Sequence, residues 1–356
     1  MEKTIAVLPG DGIGPEIIQQ AVKVLQAVAD KYQHSFHIQE YAFGGAAIDR
    51  HGQPLPDETL AACQAADAVL MGAVGGPKWD DVPKEIRPEK GLLALRKRLG
   101  LYANLRPSRL FSQLKAASPL RADISEQGFD FVIVRELTGG IYFGNHRTFE
   151  EDGQTYAEDN LRYSEAEIRR ILTVAFTTAQ KRQKKLCLVD KANVLDSSKL
   201  WRKICQTMAS DYPDVNVNYM YVDNAAMQIV GNPGQFDTIV TENMFGDILS
   251  DVASMITGSI GMIPSASMAD GSFGLYEPIH GSAPDIAGQN IANPIGTILS
   301  AAMMLDYSLG LSEEARAIEK AVDQLLDQGY RSADTLTPGM QELSCSAIGD
   351  YIAQAI

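Results

Sequence analysis

IAVLPGDGIGPEIIQQAVKVLQAV, residues 5–28, is the stretch on which the fold turns. Ile5 to Leu8 is an apolar run of buried-strand length. A glycine-rich turn follows, and then Ile17, Ile18, Ala21, Leu25 and Val28 recur on one helical face. Strand, turn and helix in that order open an α/β fold. The turn GDGIGPE (10–16) approaches the dinucleotide fingerprint G-x-G-x-x-G and then fails it. Pro15 stands where the last glycine belongs, and no acidic residue closes a second strand about 20 residues on, because Asp30 ends a helix. Two readings remain: a turn that needs glycine dihedrals, or a backbone that approaches a ligand without Rossmann geometry.

Working outward, the alternation continues. Ala68–Met71, FVIV (131–134), LCLV (186–189) and TIVT (238–241) read as buried strands, and Val215, Val217, Tyr219 and Tyr221 alternate as a half-exposed one. Ser164 with Glu167 forms a capping box before a helix whose negative end suits Arg182, Lys184 and Lys185. Asn293-Pro294 caps another helix, and Ser312, Glu313 and Glu314 open the last long one. The expectation is an α/β protein with a mostly parallel central sheet flanked by helices. At 356 residues it holds about two domains, with no Pro/Gly/Ser linker to mark a boundary.

Composition narrows the function. With 31 basic and 45 acidic residues the net charge is −14, against a nucleic-acid footprint. No apolar run approaches the ~20 residues that span a bilayer, and the N-terminus is no signal peptide, so a cytoplasmic protein is expected. Cys63, Cys187, Cys205 and Cys345 form no C-x-x-C pair and read as reduced thiols.

Chemistry concentrates after the strands. In NMFGDILSD (243–251) a helix is expected to open near Gly246, and Asp247 and Asp251 share a face four residues apart. Short paired carboxylates suit a hard divalent cation, although a solvated acidic face would read the same. LCLV leads to Lys191 and YMYV to Asp223. If these strands share a sheet, all these groups meet at its ligand-binding edge. Lys191 there suits a general base. Arg96, Arg106 and Arg135 offer guanidinium forks for carboxylates, Arg135 directly after four apolar residues. Tyr142 reads as a buried phenol, structural or proton-donating. The loop PIHGSAPDIAGQNIANP (278–294) is long and rich in donors, and Asp285 within it could accept from ribose hydroxyls and repel a 2′-phosphate.

Together these segments resemble the β-decarboxylating dehydrogenases, the family of isocitrate and isopropylmalate dehydrogenases. The resemblance runs from GDGIGPE to IANP near residue 294. NMFGDILSD followed by TGSIG is close to the family signature, with Val252 where many relatives carry Glu, a position that is not a ligand. PEKGLLALRKRLGLYANLRP (88–107) discriminates within the family, because isocitrate enzymes place serine where Leu92 and Leu93 stand. The resemblance implies a two-domain isopropylmalate dehydrogenase-like fold that is not Rossmann. One domain, 1–101 and 253–356, would bind the cofactor; 102–252 would form the second and the dimer.

It further implies NAD-dependent oxidative decarboxylation of (2R,3S)-3-isopropylmalate to 4-methyl-2-oxopentanoate, CO2 and NADH, the third step of leucine biosynthesis. By the same resemblance, Glu89, Leu92, Leu93, Arg96, Arg106, Arg135 and Asp223 would bind substrate. Asp223, Asp247 and Asp251 would hold Mg2+ or Mn2+, Tyr142 and Lys191 would be catalytic, and a homodimer would carry Lys191 and Asp223 into the partner's site. Glu277, His280, Gly281, Ser282, Ala283, Asp285, Ile286 and Asn293 would bind NAD; NADP-using relatives have a basic and aromatic pair near Asp285 and Ile286. Homoisocitrate, isocitrate or tartrate are alternative substrates. Metal-dependent phosphoryl transfer is a reading from another class, and it lacks G-x-x-x-x-G-K-[ST].

Overall fold

The computed structural model describes residues 1–356, which fall into two compact units. Met1–Leu101, Leu110–Pro119 and Thr257–Ile356 form the first; Tyr102–Arg109 and Leu120–Ile256 form the second. Segment 110–119, expected with the middle of the chain, groups with the chain ends. Gln113 Nε2 donates to Asp327 at 2.6 Å and its carbonyl accepts from Arg331 at 2.7 Å. The other boundary moves from 253 to 257, because the helix Asn243–Ile256 runs unbroken through it.

In the first unit the strands lie in the order Ser35–Glu40, Glu2–Gly10, Ala68–Ala73, Gly274–Pro278, Pro264–Met268. All neighbours are parallel except the last pair. Ala68–Ala73 is buried throughout, as a central parallel strand should be. The helix Gly14–Tyr32 buries the face read from sequence. Ile295–Tyr307 is buried nearly all round, which its run of Ile, Leu, Met, Ala and Ser permits.

The opening turn is the one that needs glycine dihedrals, and what its backbone approaches is another loop of the chain. Gly10 and Gly12 have φ of 73° and 56°, in the left-handed region. A Cβ on Gly12 would lie 2.0 Å from the Ser282 carbonyl oxygen, and Ile13 N–H donates to that oxygen at 2.8 Å. The close approach is therefore to the 278–294 loop. Between these glycines, buried Asp11 accepts from the N–H groups of Gly45, Ala46 and Gly75 at 2.7–2.8 Å and pins two more turns.

The second unit has the strand order Ala103–Arg109, Asp130–Glu136, Thr238–Thr241, Lys185–Asp190, Asn216–Tyr221. Only the first pair is antiparallel. Arg135 and Glu136 alternate across this sheet. Arg135 meets Gly246 of the helix Asn243–Ile256, while Glu136 meets Arg170 of the helix Glu165–Lys181, so these helices cover opposite faces. The Ser164/Glu167 capping box forms.

Several details depart from expectation. Helix Asn243–Ile256 starts three residues before Gly246, whose N–H bonds to the Glu242 carbonyl. The basic run 182–185 does not serve a helix end: Arg182 pairs with Asp130 and Asp237, Lys184 with Asp214, and Lys185 begins a strand. Pro294 occupies the cap position, while the Asn293 side chain accepts from Ile295 N–H at 3.0 Å. A further helix, Cys345–Ala355, follows Ser312–Asp327 and is capped by Ser344. All four cysteines are free and buried. No helix is long and apolar enough to cross a membrane.

Gly12→Ala should destabilise the isolated protein by about 1–3 kcal/mol, through backbone strain and the clash with Ser282. Denaturant unfolding without added ligand measures it; an unchanged midpoint would remove the close approach as the reason for this glycine.

Candidate active site

At the C-terminal ends of the second unit's strands, two guanidiniums meet two carboxylates. Arg135 is the penultimate residue of its strand and only 3% exposed. Such a charge stays buried only if every side is paired. Asn243 Oδ1 accepts from its Nε at 3.1 Å and its Nη2 at 2.9 Å, and Nη1 donates to Asp247. Arg106, also buried, reaches Asn104 at 2.7 Å, the Ser250 hydroxyl at 2.6 Å, Asp247 at 3.7 Å and Asp251 at 3.9 Å. Gly246 makes this possible: a Cβ there would lie 2.6 Å from Arg135 Cγ.

Asp247 and Asp251 stand one helical turn apart, and Asp251 is largely exposed. Partial burial pushes the Asp251 carboxyl up, opposed by Arg106 and reinforced by Asp247. Their oxygens are the hard donors that Mg2+ or Mn2+ takes. No three His, Cys, Asp or Glu side chains of the chain gather into a metal-holding group, so other ligands would come from substrate, water or a second chain. Tyr142, expected to be buried, is 40% exposed because it stands on the single turn Ile141–Phe143. Its hydroxyl donates to Asp247 at 3.0 Å, and burial and the aspartate together push the phenol up, so it keeps its proton.

Lys191 and Asp223 form their own pair at 2.9 Å, at the ends of neighbouring parallel strands. The lysine holds the Asp223 carboxyl below the usual range.

The remaining candidates belong to the first unit. Arg96 is buried against Glu277 at 2.8 Å, and its Nε has no hydrogen-bond partner. Glu89 is exposed, Leu93 half-buried, and Leu92 packs against the apolar core. In the long loop, His280 Nδ1 contacts the Gly281 carbonyl at 2.9 Å, while Nε2 is buried without a partner; burial pulls the imidazole down. Asp285 is exposed, Ala283 and Ile286 pack against Ile13 and Ile17, and Ser282 is buried. Asn293 donates to Asp334 at 3.2 Å. An unpaired imidazole nitrogen, an open Gly281 and an exposed carboxylate suit a nucleotide with hydroxyl groups. Sequence reasoning missed Asn243 and Gly246, which touch Arg135 and hold its geometry; only their position straight after an apolar strand could have pointed to them.

Comparison with known proteins gives a consistent result. The family model described as isocitrate/isopropylmalate dehydrogenase matches residues 4–352. The chain is 58% identical to a 3-isopropylmalate dehydrogenase of Helicobacter hepaticus, covering 100% of both chains. It is 59% identical to one of Pseudomonas fluorescens, covering 100% of this chain and 99% of that one. Among solved structures, the isocitrate dehydrogenase of Methylococcus capsulatus superposes with a TM-score of 0.86 at 34% identity, over 99% of each chain.

Gly246→Ala should cost about 1–3 kcal/mol of stability by overpacking against the Arg135 stem. Gly231→Ala, where a Cβ meets nothing within 4 Å, is the control and should not destabilise. Equal unfolding midpoints for the two variants would show that Gly246 does not constrain Arg135.

Proposed function

The chain belongs to the isocitrate/isopropylmalate dehydrogenase family, and from that premise we propose that it catalyses the oxidative decarboxylation of (2R,3S)-3-isopropylmalate by NAD, in leucine biosynthesis. The products are 4-methyl-2-oxopentanoate, CO2 and NADH. The observation that carries this reading is the meeting of Arg106 and Arg135 with Asp247 and Asp251 under the Tyr142 hydroxyl. Full-length relatives near 58% identity bear the corresponding name.

In this mechanism Arg106 and Arg135 bind the substrate's carboxylates, and Arg96 adds its unpaired Nε. Leu93 and Leu92 favour the branched alkyl group over a polar one. Asp247 and Asp251, with Asp223 of a second copy, would hold Mg2+ or Mn2+. When bound, the ion supplies Lewis acidity and NAD supplies the hydride acceptor. Lys191, acting as the neutral amine, takes the hydroxyl proton in the neighbouring copy's site. Tyr142, kept protonated, delivers a proton to the carbon that CO2 leaves. The loop around His280, Asp285 and Asn293 receives the nucleotide, Asp285 at the ribose.

A homodimer is part of the reading. Met227 and Val230 on the helix Val222–Gly231, with Ile248 and Met255 on the neighbouring helix Asn243–Ile256, form exposed apolar surface that favours a second copy. A cytoplasmic location agrees with four reduced thiols.

The decisive assay mixes the protein with 3-isopropylmalate, NAD and Mg2+. NADH should appear and should stop when a chelator is added. No NADH with this substrate, or faster turnover of isocitrate, homoisocitrate or tartrate, would overturn the reading. In the same assay Lys191→Ala should lower kcat about 10²–10⁴-fold with little change in KM; unchanged kcat would remove Lys191 as the base. Asp285→Lys, made alone because Ile286 packs against the apolar cluster, should shift kcat/KM from NAD toward NADP. An unmoved ratio would count against the ribose contact.

A further inference from the structure

Glu242 lies between the strand Thr238–Thr241 and the helix Asn243–Ile256, and the reaction makes no use of it. It is 5% exposed, and its Oε1 is buried without a hydrogen-bond partner. The register that sets Thr241 beside Arg135 and Val189 carries Glu242 alongside Glu136 and Asp190. Both neighbours are compensated. Asp190 accepts from Arg202 at 2.8 and 2.7 Å and from Ala192 N–H at 3.0 Å. Glu136, fully buried, accepts from the Thr138 hydroxyl and the N–H groups of Thr138 and Gly139, each at 2.8 Å, with Arg170 at 3.6 Å.

Tyr163, ahead of the helix Glu165–Lys181, hydrogen-bonds to Glu136 and accepts from Asn243 N–H at 3.0 Å. The helix Asn243–Ile256 offers no charged side chain before Asp247. Glu242 therefore has two carboxylates, Glu136 and Asp190, and one phenol around it, with Arg170 and Arg202 engaged by those two neighbours. Two adjacent buried carboxyls so placed do not both ionise without strong repulsion.

This pair backs directly onto the substrate fork. Glu136 fixes Gly139, the Gly139 carbonyl accepts from Asn243 Nδ2 at 3.2 Å, and Asn243 Oδ1 holds Arg135. Resting on the functional reading above, we propose that Glu136 and Glu242 share one proton, and that Glu242 must carry it for Asn243 to hold Arg135 in its carboxylate-binding setting. Glu242 is thus a positioning residue. Burial and the neighbouring Glu136 push the Glu242 carboxyl up to about 7, so the shared proton leaves in the neutral range. The second negative charge then presses on the Glu136 turn and loosens the Asn243 clamp.

The sign follows. A carboxyl raised from 4.5 to about 7 on folding contributes stability that is full below the lower value and lost as pH climbs through the higher one. Infrared titration of the wild-type protein should show a protonated-carboxyl band at about pH 6 that fades through neutrality and is missing from Glu242→Gln. KM for 3-isopropylmalate should rise severalfold over that interval in the wild type, with kcat changing little, and should stay flat in Glu242→Gln. The variant should also exceed the wild type in Tm above neutrality but not in acid. Absence of the band from the wild type, or the same KM profile in the variant, would overturn the proposal. A wild type that does not turn over 3-isopropylmalate would count against the functional reading instead, and the infrared and Tm results would still decide whether the proton is shared.

Discussion

A guanidinium buried at the end of a strand dominates the second unit. Arg135 has almost no access to water, so Asn243 and Asp247 must satisfy it. Both partners lie on the first turns of the helix Asn243–Ile256, which is thereby fixed in rotation and depth against the sheet. Depth in turn requires glycine at 246, since any Cβ would meet the arginine stem. The rotation turns Asp251 toward Arg106 and Asp247 toward Tyr142. One ion pair thus organises the strand end, the helix and the acidic pair.

The parts of the fold legible in sequence were those where local pattern and tertiary demand coincide. The Gly14–Tyr32 helix shows its buried face in its periodicity, and TIVT is a strand of the bounds expected. Asp247 and Asp251 are four apart, and helical geometry makes them neighbours. Failures came where a distant partner decides. Arg182 resembles a helix-end cation until Asp130 and Asp237 approach from elsewhere in the chain. Tyr142 resembles a core phenol because nothing nearby in sequence reveals the exposed single turn that carries it. Asn243 looks like an ordinary residue beside a strand; its role depends on an arginine 108 positions away. Gly12 announced an unusual backbone, but not that the Ser282 loop was the thing approached.

Charge balance links the arginines to the acidic pair and to the proposed substrate. Within the second unit Arg106 and Arg135 oppose Asp247 and Asp251, so this group is neutral on its own. Arg96 with Glu277 and Lys191 with Asp223 are neutral pairs as well. A dianionic hydroxy acid entering beside Arg106 and Arg135 would bring two negative charges into a partly desolvated site, and those arginines are already balanced by aspartates. A divalent cation bound with the substrate would restore neutrality, and the aspartates would then serve as its ligands rather than as competitors for the arginines. Without such an ion, paired carboxylates beside a substrate's carboxylates would only repel it. The acidic pair beside the fork is therefore intelligible as part of a metal-dependent site, and hard to explain in one where arginines alone bind the acid.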